Sequence, residues 1–341
     1  MTARSFLKAV WFLSALACAG FVSAPSATAE PSHLKVGVLK FGTVNWQLDS
    51  LKTNAFDRAE NISLVVMELA SKNATSVALQ AGDVDMIVSD WIWVNRQRAA
   101  GEDLVFFPYS TELGSLVAGP DSAYHDVLEL KGKKIGVAGG PIDKSWLVLR
   151  AWTRKYRGFD IADESEAIFA APPLLNEQLR TGRIDAVLTF WPYAARLEAG
   201  GATRLLDIDK LVMDLGVTHP TALVGYVFRE RLLREQPGAI EAFFRAVAST
   251  NALLAKSDSE WERLRPVMRA GNDAEFDALK AGFRSGILSS PTGSELSDAA
   301  VLFEILSSTG GEKLVGRGVK FDPNSFWTPG ITMSPGTSTP Q

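Results

Sequence analysis

The chain has 341 residues, 35 Lys and Arg against 39 Asp and Glu, and 46% hydrophobic side chains. That length is enough for two lobes with separate cores, and a mildly acidic balance without a basic cluster argues against nucleic acid as a partner. With one cysteine, three histidines and no H-E-x-x-H, G-x-S-x-G or metal-ligand spacing, the chain carries no recognised catalytic or metal motif.

The N-terminus reads as a targeting segment. Arg4 and Lys8 form a basic region, residues 9–22 an apolar one, and Ala27-Thr28-Ala29 a small-x-small cleavage site before Glu30. The apolar run is too short to span a bilayer. Cleavage near Ala29 removes Cys18, so the mature chain has neither thiol nor disulfide; lipid attachment at Cys18 is the weaker alternative, because Ala15-Leu16-Ala17 lacks the usual leucine placement. The expected location is the periplasm.

Alternation over Leu34-Lys35-Val36-Gly37-Val38-Leu39 predicts a first strand, followed by a loop, Phe41 to Trp46, and a helix over about 46–58. A strand over 63–68 and a helix over about 71–81 complete a β-α-β-α-β order, which implies a parallel sheet with helices on its faces. Residues 105–109 and 114–118 read as strands leaving the first lobe, and 127–132 as a short turn. A second opening strand, 133–138, leads through Gly139-Gly140-Pro141 to a helix bearing Trp146. Residues 219–228 read as the returning strand. A helix beginning at Pro237 then places Ile240, Phe243, Phe244, Val247 and Leu254 on one face. Two further helices are expected over 261–268 and 274–285.

Inside this order lies an internal echo. Leu79-Gln80-Ala81-Gly82-Asp83-Val84-Asp85, running on to Ser89-Asp90-Trp91-Ile92-Trp93, is matched one hundred residues later by Leu179-Arg180-Thr181-Gly182-Arg183-Ile184-Asp185, running on to Thr189-Phe190-Trp191-Pro192-Tyr193. Each copy predicts a helix end, a closing glycine, an apolar strand and a polar-aromatic tip. Two similar lobes follow, each presenting its tip at the carboxyl end of a strand, where open α/β sheets bind ligands.

The leader, Leu34-Lys35-Val36-Gly37-Val38, Ala81-Gly82-Asp83-Val84-Asp85, Leu130-Lys131-Gly132-Lys133-Lys134-Ile135-Gly136-Val137 and Gly182-Arg183-Ile184-Asp185-Ala186 occur in an order that resembles the substrate-binding proteins of ABC importers. The similar group is the nitrate/sulfonate/taurine type, which includes thiamine-precursor binders, and the resemblance spans most of residues 34–290. It implies an α/β, type II periplasmic-binding-protein fold, with two lobes joined by crossovers, ligand in the cleft and a membrane permease as partner. The expected lobes are 30–110 with 222–330, and 111–221; 1–29 is the signal peptide and 331–341 a disordered tail. The chain departs from the family in lacking the Cys-rich motif of some pyrimidine-precursor proteins. Its second lobe also opens with Gly139-Gly140-Pro141-Ile142-Asp143 in place of Gly-Ser or Gly-Thr, which argues against anion binding there.

Four loops are candidate sites. The first, with Phe41, Thr43, Asn45 and Trp46, offers donors and a flat wall at a helix N-terminus; the alternative is a plain βα loop with Asn45 near the cap and Trp46 in the core. In Ser89, Asp90, Trp91 and Trp93, an extended tip would point both tryptophans the same way beside a carboxylate, which suits a planar or cationic ligand; otherwise the tryptophans cover the core and Asp90 caps a helix. Gly140, Pro141, Ser145 and Trp146 form the third, where Lys144 and Ser145 either hold an anion or Lys144 is solvated and Asp143 caps. Trp191 and Tyr193 form the fourth, against a structural turn fixed by Pro192. Glu112 and Thr111 at the outgoing crossover, and His219 at the returning one, can face the cleft, whereas His33 and His125 read as surface residues.

These observations predict a monomeric solute-binding protein without cofactor or metal. It captures a small organic ligand, a sulfonate-like anion or a flat heteroaromatic or cationic molecule, and delivers it to the permease. An enzyme on the same fold, or a ligand-free scaffold for a partner protein, are the alternatives.

Overall fold

The apolar alternation of the first strand is satisfied: Leu34, Val36 and Val38 are all buried. The computed structural model describes residues 30–288 and 295–328; the leader, Cys18 and the tail lie outside them. In chain order the first elements are β1 (Ser32–Leu39), α1 (Val44–Thr53), α2 (Phe56–Ala59), β2 (Ile62–Leu69), α3 (Lys72–Ala81), β3 (Met86–Asp90), α4 (Trp91–Ala99) and β4 (Leu104–Ser110). The second set is β5 (Gly114–Ala118), β6 (Lys134–Ala138), α5 (Lys144–Arg157), α6 (Ile161–Glu164), β7 (Glu166–Ala170), α7 (Pro172–Arg180), β8 (Ala186–Phe190), α8 (Trp191–Ala199), β9 (Thr203–Asp207) and α9 (Ile208–Asp214). The chain continues through β10 (Val224–Arg229), α10 (Leu232–Glu235), α11 (Ala239–Lys256), α12 (Asp258–Met268), α13 (Asp273–Ser285), α14 (Glu295–Gly310) and α15 (Glu312–Val315).

Two five-stranded sheets result, with orders β2-β1-β3-β10-β4 and β7-β6-β8-β5-β9. They share one plan. The first three strands of each order are parallel, and the fourth, β10 or β5, runs antiparallel to both its neighbours. The sequence echo maps onto this plan element by element, as α3-β3-α4 and α7-β8-α8. Gly82 and Gly182 both take positive φ, +80° and +66°, the left-handed turn that closes each helix and that a Cβ would strain.

Helix α11 buries Ile240, Phe243, Phe244, Val247 and Leu254 as its spacing predicts. Each such side chain contributes about 1.5–3 kcal/mol relative to exposure. The C-terminal helices do more than cover the first sheet. Helix α13 packs on α8, α14 on α5 and α15 on α4. One apolar cluster therefore runs from Ile87, Trp91 and Phe106 of the first lobe through Phe303 and Leu306 of α14 to Leu116, Ile135 and Trp146 of the second.

Three local expectations need correction. The single helix over 46–58 is two, because Ala55 takes φ +57° and Asn54 turns its amide back to the Ser50 carbonyl at 2.9 Å. The returning strand begins at Val224 and not at His219, and Pro237 precedes α11, whose N-cap is Gly238. Helix α14 carried no sequence expectation at all.

Candidate functional site

Helices α1, α4, α5 and α8 each begin just after the carboxyl end of a parallel or central strand, so their N-termini gather where the two lobes meet. Two clusters close this seam, one ionic and one aromatic.

The ionic cluster centres on Asp90. Its Oδ1 accepts the Trp93 N–H at 2.8 Å and so caps α4, while Oδ2 accepts from Lys72 Nζ at 2.5 Å and Lys144 Nζ at 2.9 Å. Lys72 opens α3 of the first lobe and Lys144 opens α5 of the second, so the Lys144 pair ties lobe to lobe. The Asp90 side chain is 4% exposed and that of Lys144 18%, whereas Lys72 reaches in from the edge, 51% exposed. Burial alone would raise the Asp90 carboxyl, but the Lys144 and Lys72 ammonium groups override it and hold the carboxyl well below the usual range. Asp143 caps α5 through the Ser145 N–H at 3.0 Å, and burial pushes its carboxyl up.

The aromatic cluster centres on Trp46 at the start of α1. Its ring meets Trp191 of α8 edge-on, with centroids 6.1 Å apart and planes at 88°, and it also contacts Trp261 and Phe283. Gly282 of α13 lies flat against the Trp191 ring: a Cβ there would fall 2.8 Å from two ring carbons. Beneath lies a cavity of about 10 Å³, room for one water, lined by Gln47, Tyr109, Ser110, Asn251, Phe283, Gly286 and Ile287.

The remaining sequence candidates are distributed as follows. Trp91 is not a cleft residue: β3 ends at Asp90, Trp91 starts α4, and its fully buried ring packs against Phe303, Phe321 and Phe326. The expectation that Trp91 and Trp93 point the same way fails for the same reason, since two helical steps turn roughly 200°. Trp146 is likewise core, buried beside Leu147 and Val148 and edge-on to Phe169. Asn45 does not present a donor to the seam, because its amide closes its own loop on the Leu39 carbonyl at 2.8 Å. Thr43 Oγ1 lies 3.4 Å from the Tyr109 hydroxyl. Phe41 stands exposed at the rim, with the Arg269 guanidinium 5.0 Å from its ring centroid.

Gly140 and Pro141 lie in the β6–α5 loop, half-buried and exposed, and Ser145 is buried in the first turn of α5. Tyr193 is half-buried, and its carbonyl accepts the Asn176 amide. Ser89 and Thr189, partners in the echo, share a fate: both hydroxyls are buried with no hydrogen-bond partner among the described residues.

The crossovers are clamped to the C-terminal helices. Glu112 accepts from Ser285 Oγ at 2.5 Å. The exposed His219 pairs through Nδ1 with Asp298 of α14 at 2.9 Å, and Thr218 Oγ1 donates to the same carboxylate. Lys72 and the Asp298 clamp were missed in the sequence, since neither lies in a motif. Lys72 falls at the first position of α3, directly after its N-cap Ser71, whose side chain accepts the Ala74 N–H. Among the described residues no group of three or more His, Cys, Asp or Glu is placed to hold a metal ion. No helix among them is long and apolar enough to cross a membrane.

Solved structures share this architecture at low identity. The periplasmic aliphatic sulphonate binding protein SsuA of Escherichia coli is 19% identical, with a TM-score of 0.69 over 91% of this chain and 97% of that one. The alkanesulfonate-binding protein SsuA of Xanthomonas axonopodis pv. citri, bound to MOPS, is 19% identical, with a TM-score of 0.67 over 88% and 99%. The desulfurization enzyme DSZB is 15% identical, with a TM-score of 0.57 over 82% and 92%. No curated protein matches the chain. The fold is α/β and of the type II periplasmic-binding-protein kind, two five-stranded sheets flanked by helices. Residues 53–259, more than half of the sequence, match the NMT1/THI5-like family model, and the chain belongs to that family.

Proposed function

We propose that this chain is the periplasmic solute-binding component of an ABC importer, exported by its leader and acting as a monomer. It captures a small organic molecule between its two lobes and presents the closed form to a membrane permease. The observation that carries this reading is the seam itself. Helix N-termini from both lobes converge on it, and each lobe supplies half of an ion pair (Asp90, Lys144) and half of an aromatic contact (Trp46, Trp191). Groups that meet only when the lobes are closed are what a ligand-gated closure uses. The sulfonate binders of similar fold support the same role.

A thermal-shift panel of alkanesulfonates, pyrimidines and cationic amines tests it. A ligand at one hundred times its dissociation constant is expected to stabilise the folded chain by about 2.7 kcal/mol. Stoichiometric binding without turnover supports the transport reading. Turnover supports the second reading, an enzyme, which the likeness to DSZB favours. No response to any class overturns both and leaves a partner-binding scaffold.

A further inference from the structure

Lys72 and Lys144 come from different helices and different lobes, yet both ammonium groups converge on one carboxylate oxygen, Asp90 Oδ2. Such charge-assisted bonds are the strong kind, and a buried ammonium without a counter-charge is costly. Two ammonium groups for one carboxylate leave the trio with a net positive charge. Asp143 is the other charged group facing the cluster: its Oδ1 accepts the Ser145 N–H at the head of α5, and its carboxylate attracts both lysines through space without a hydrogen bond to either. Asp90 alone therefore holds the position between the two ammonium groups.

The internal echo shows that the fold does not need a carboxylate here. The counterpart of Asp90 is Phe190, which stands at the N-cap of α8 without any side-chain cap, and α8 forms nonetheless. Asp90 therefore has a role beyond starting a helix.

We infer that Asp90 is a built-in counter-anion: it occupies the oxyanion position that Lys72 and Lys144 form across the lobes, holds the seam closed without solute, and yields Lys144 to the acid group of an incoming carboxylate, sulfonate or phosphonate. This deepens, and rests on, the solute-binding reading of the cleft. The cost is paid in affinity, because a ligand must first part a pair that the closed state already satisfies. The benefit is selectivity: a neutral solute cannot replace Asp90, and a cationic one meets two lysines.

The test uses the mature chain, with methanesulfonate and acetate as probes and ethylammonium as the opposite charge. Asp90→Asn keeps a good N-cap and removes the competing charge. It is expected to bind methanesulfonate or acetate about tenfold or more tightly than the native chain, a gain of at least ~1.4 kcal/mol. Asp90→Asn combined with Lys144→Met is expected to lose that gain. A folded Asp90→Asn chain with affinity unchanged overturns the inference. So does a gain that survives Lys144→Met, or tighter ethylammonium binding by Asp90→Asn, since that variant removes the only negative partner of the two lysines' shared bond.

If Asp90→Asn does not fold, Lys144→Gln serves, since Asp90 keeps both its cap and Lys72. Small-angle scattering is expected to show expansion of this variant without probe and at unchanged circular dichroism; an unchanged radius of gyration overturns the inference. These titrations read the lysine pair directly. A failed solute panel therefore refutes the importer reading without deciding the role of Asp90.

Discussion

Asp85 and Asp185 make the same contact one hundred residues apart. Asp85 Oδ2 accepts the Lys35 N–H at 2.8 Å while its own N–H donates to the Lys35 carbonyl, and Asp185 Oδ2 accepts the Lys134 N–H at 2.9 Å with the same return bond. In each lobe the aspartate stitches the entry of the third strand to the opening strand of the sheet. Removing either carboxylate should cost about 1.5–3 kcal/mol, the worth of a hydrogen bond to a charged group. Asp185→Ala is expected at the upper end, because Asp185 Oδ1 also accepts the Tyr124 hydroxyl at 2.9 Å. Urea unfolding of the two variants reads the difference; equal losses would remove Tyr124 from the account.

Trp91 and Trp191 align in sequence but part in space. Trp91 is enclosed by Phe303, Phe321 and Phe326, so Trp91→Ala should cost about 3–5 kcal/mol, as truncations of buried tryptophans do. Trp191 is half-buried and meets Trp46 across the seam, so Trp191→Ala should cost less stability and instead loosen the closed form. Equilibrium unfolding gives the first ordering, and solute dissociation rates the second. A larger stability loss at Trp191 would reverse the assignment.

That divergence shows what was legible in the sequence. The strand alternation, the closing glycines and the Asp85/Asp185 echo are local signals. The first sheet and strands β5, β6 and β8 of the second were readable from them, whereas the edge strands β7 and β9 carried no expectation. The roles of the tryptophans were not, because position 91 lies inside or outside the core only once α14 and the Phe321–Phe326 segment fold back over α4. Lys144 shows the same limit: its partner is 54 positions away in the other lobe. Asp90 was visible as a candidate for the opposite reason, since it lies in the local echo beside Trp91 and Trp93, although the sequence could not separate its capping of α4 from its pairing with distant lysines.

Gly282 of α13 faces the Trp191 ring of α8 with no room for a side chain between them. Gly282→Ala sets a methyl 2.8 Å from two Trp191 ring carbons, so either the ring or the helix must move. The expected loss is about 1–3 kcal/mol, the usual range for overpacking. Gly282→Ala in a Trp191→Ala background should be nearly neutral, because the obstructing ring is gone. Unfolding measurements on the four chains of this cycle isolate the contact; an equal loss in both backgrounds would place the cost in the α13 backbone.

Asp90 at the seam and Asp209 near the crossover titrate in opposite senses. The Asp90 carboxyl is depressed by Lys144 and Lys72, against the raising effect of its own burial, so its contribution is present above the unfolded value near 4 and is lost as pH falls below it. Asp209, at the head of α9, is pushed up to about 8 by burial and by the nearby Glu112 and Asp207 carboxylates. Folded Asp209 therefore holds a proton that the unfolded chain has released between pH ~4 and the folded value, and stability must fall as pH rises through that window. Burial raises Glu112 in the same direction. The native chain should thus be most stable in mild acid and should lose thermal stability toward pH 8. Asp209→Asn should flatten the alkaline side and leave the acid side unchanged, since the Asp90 cluster is untouched. Melting temperatures across pH 4–9 for the two chains check this, and parallel curves would remove Asp209 as the group that controls the alkaline limb.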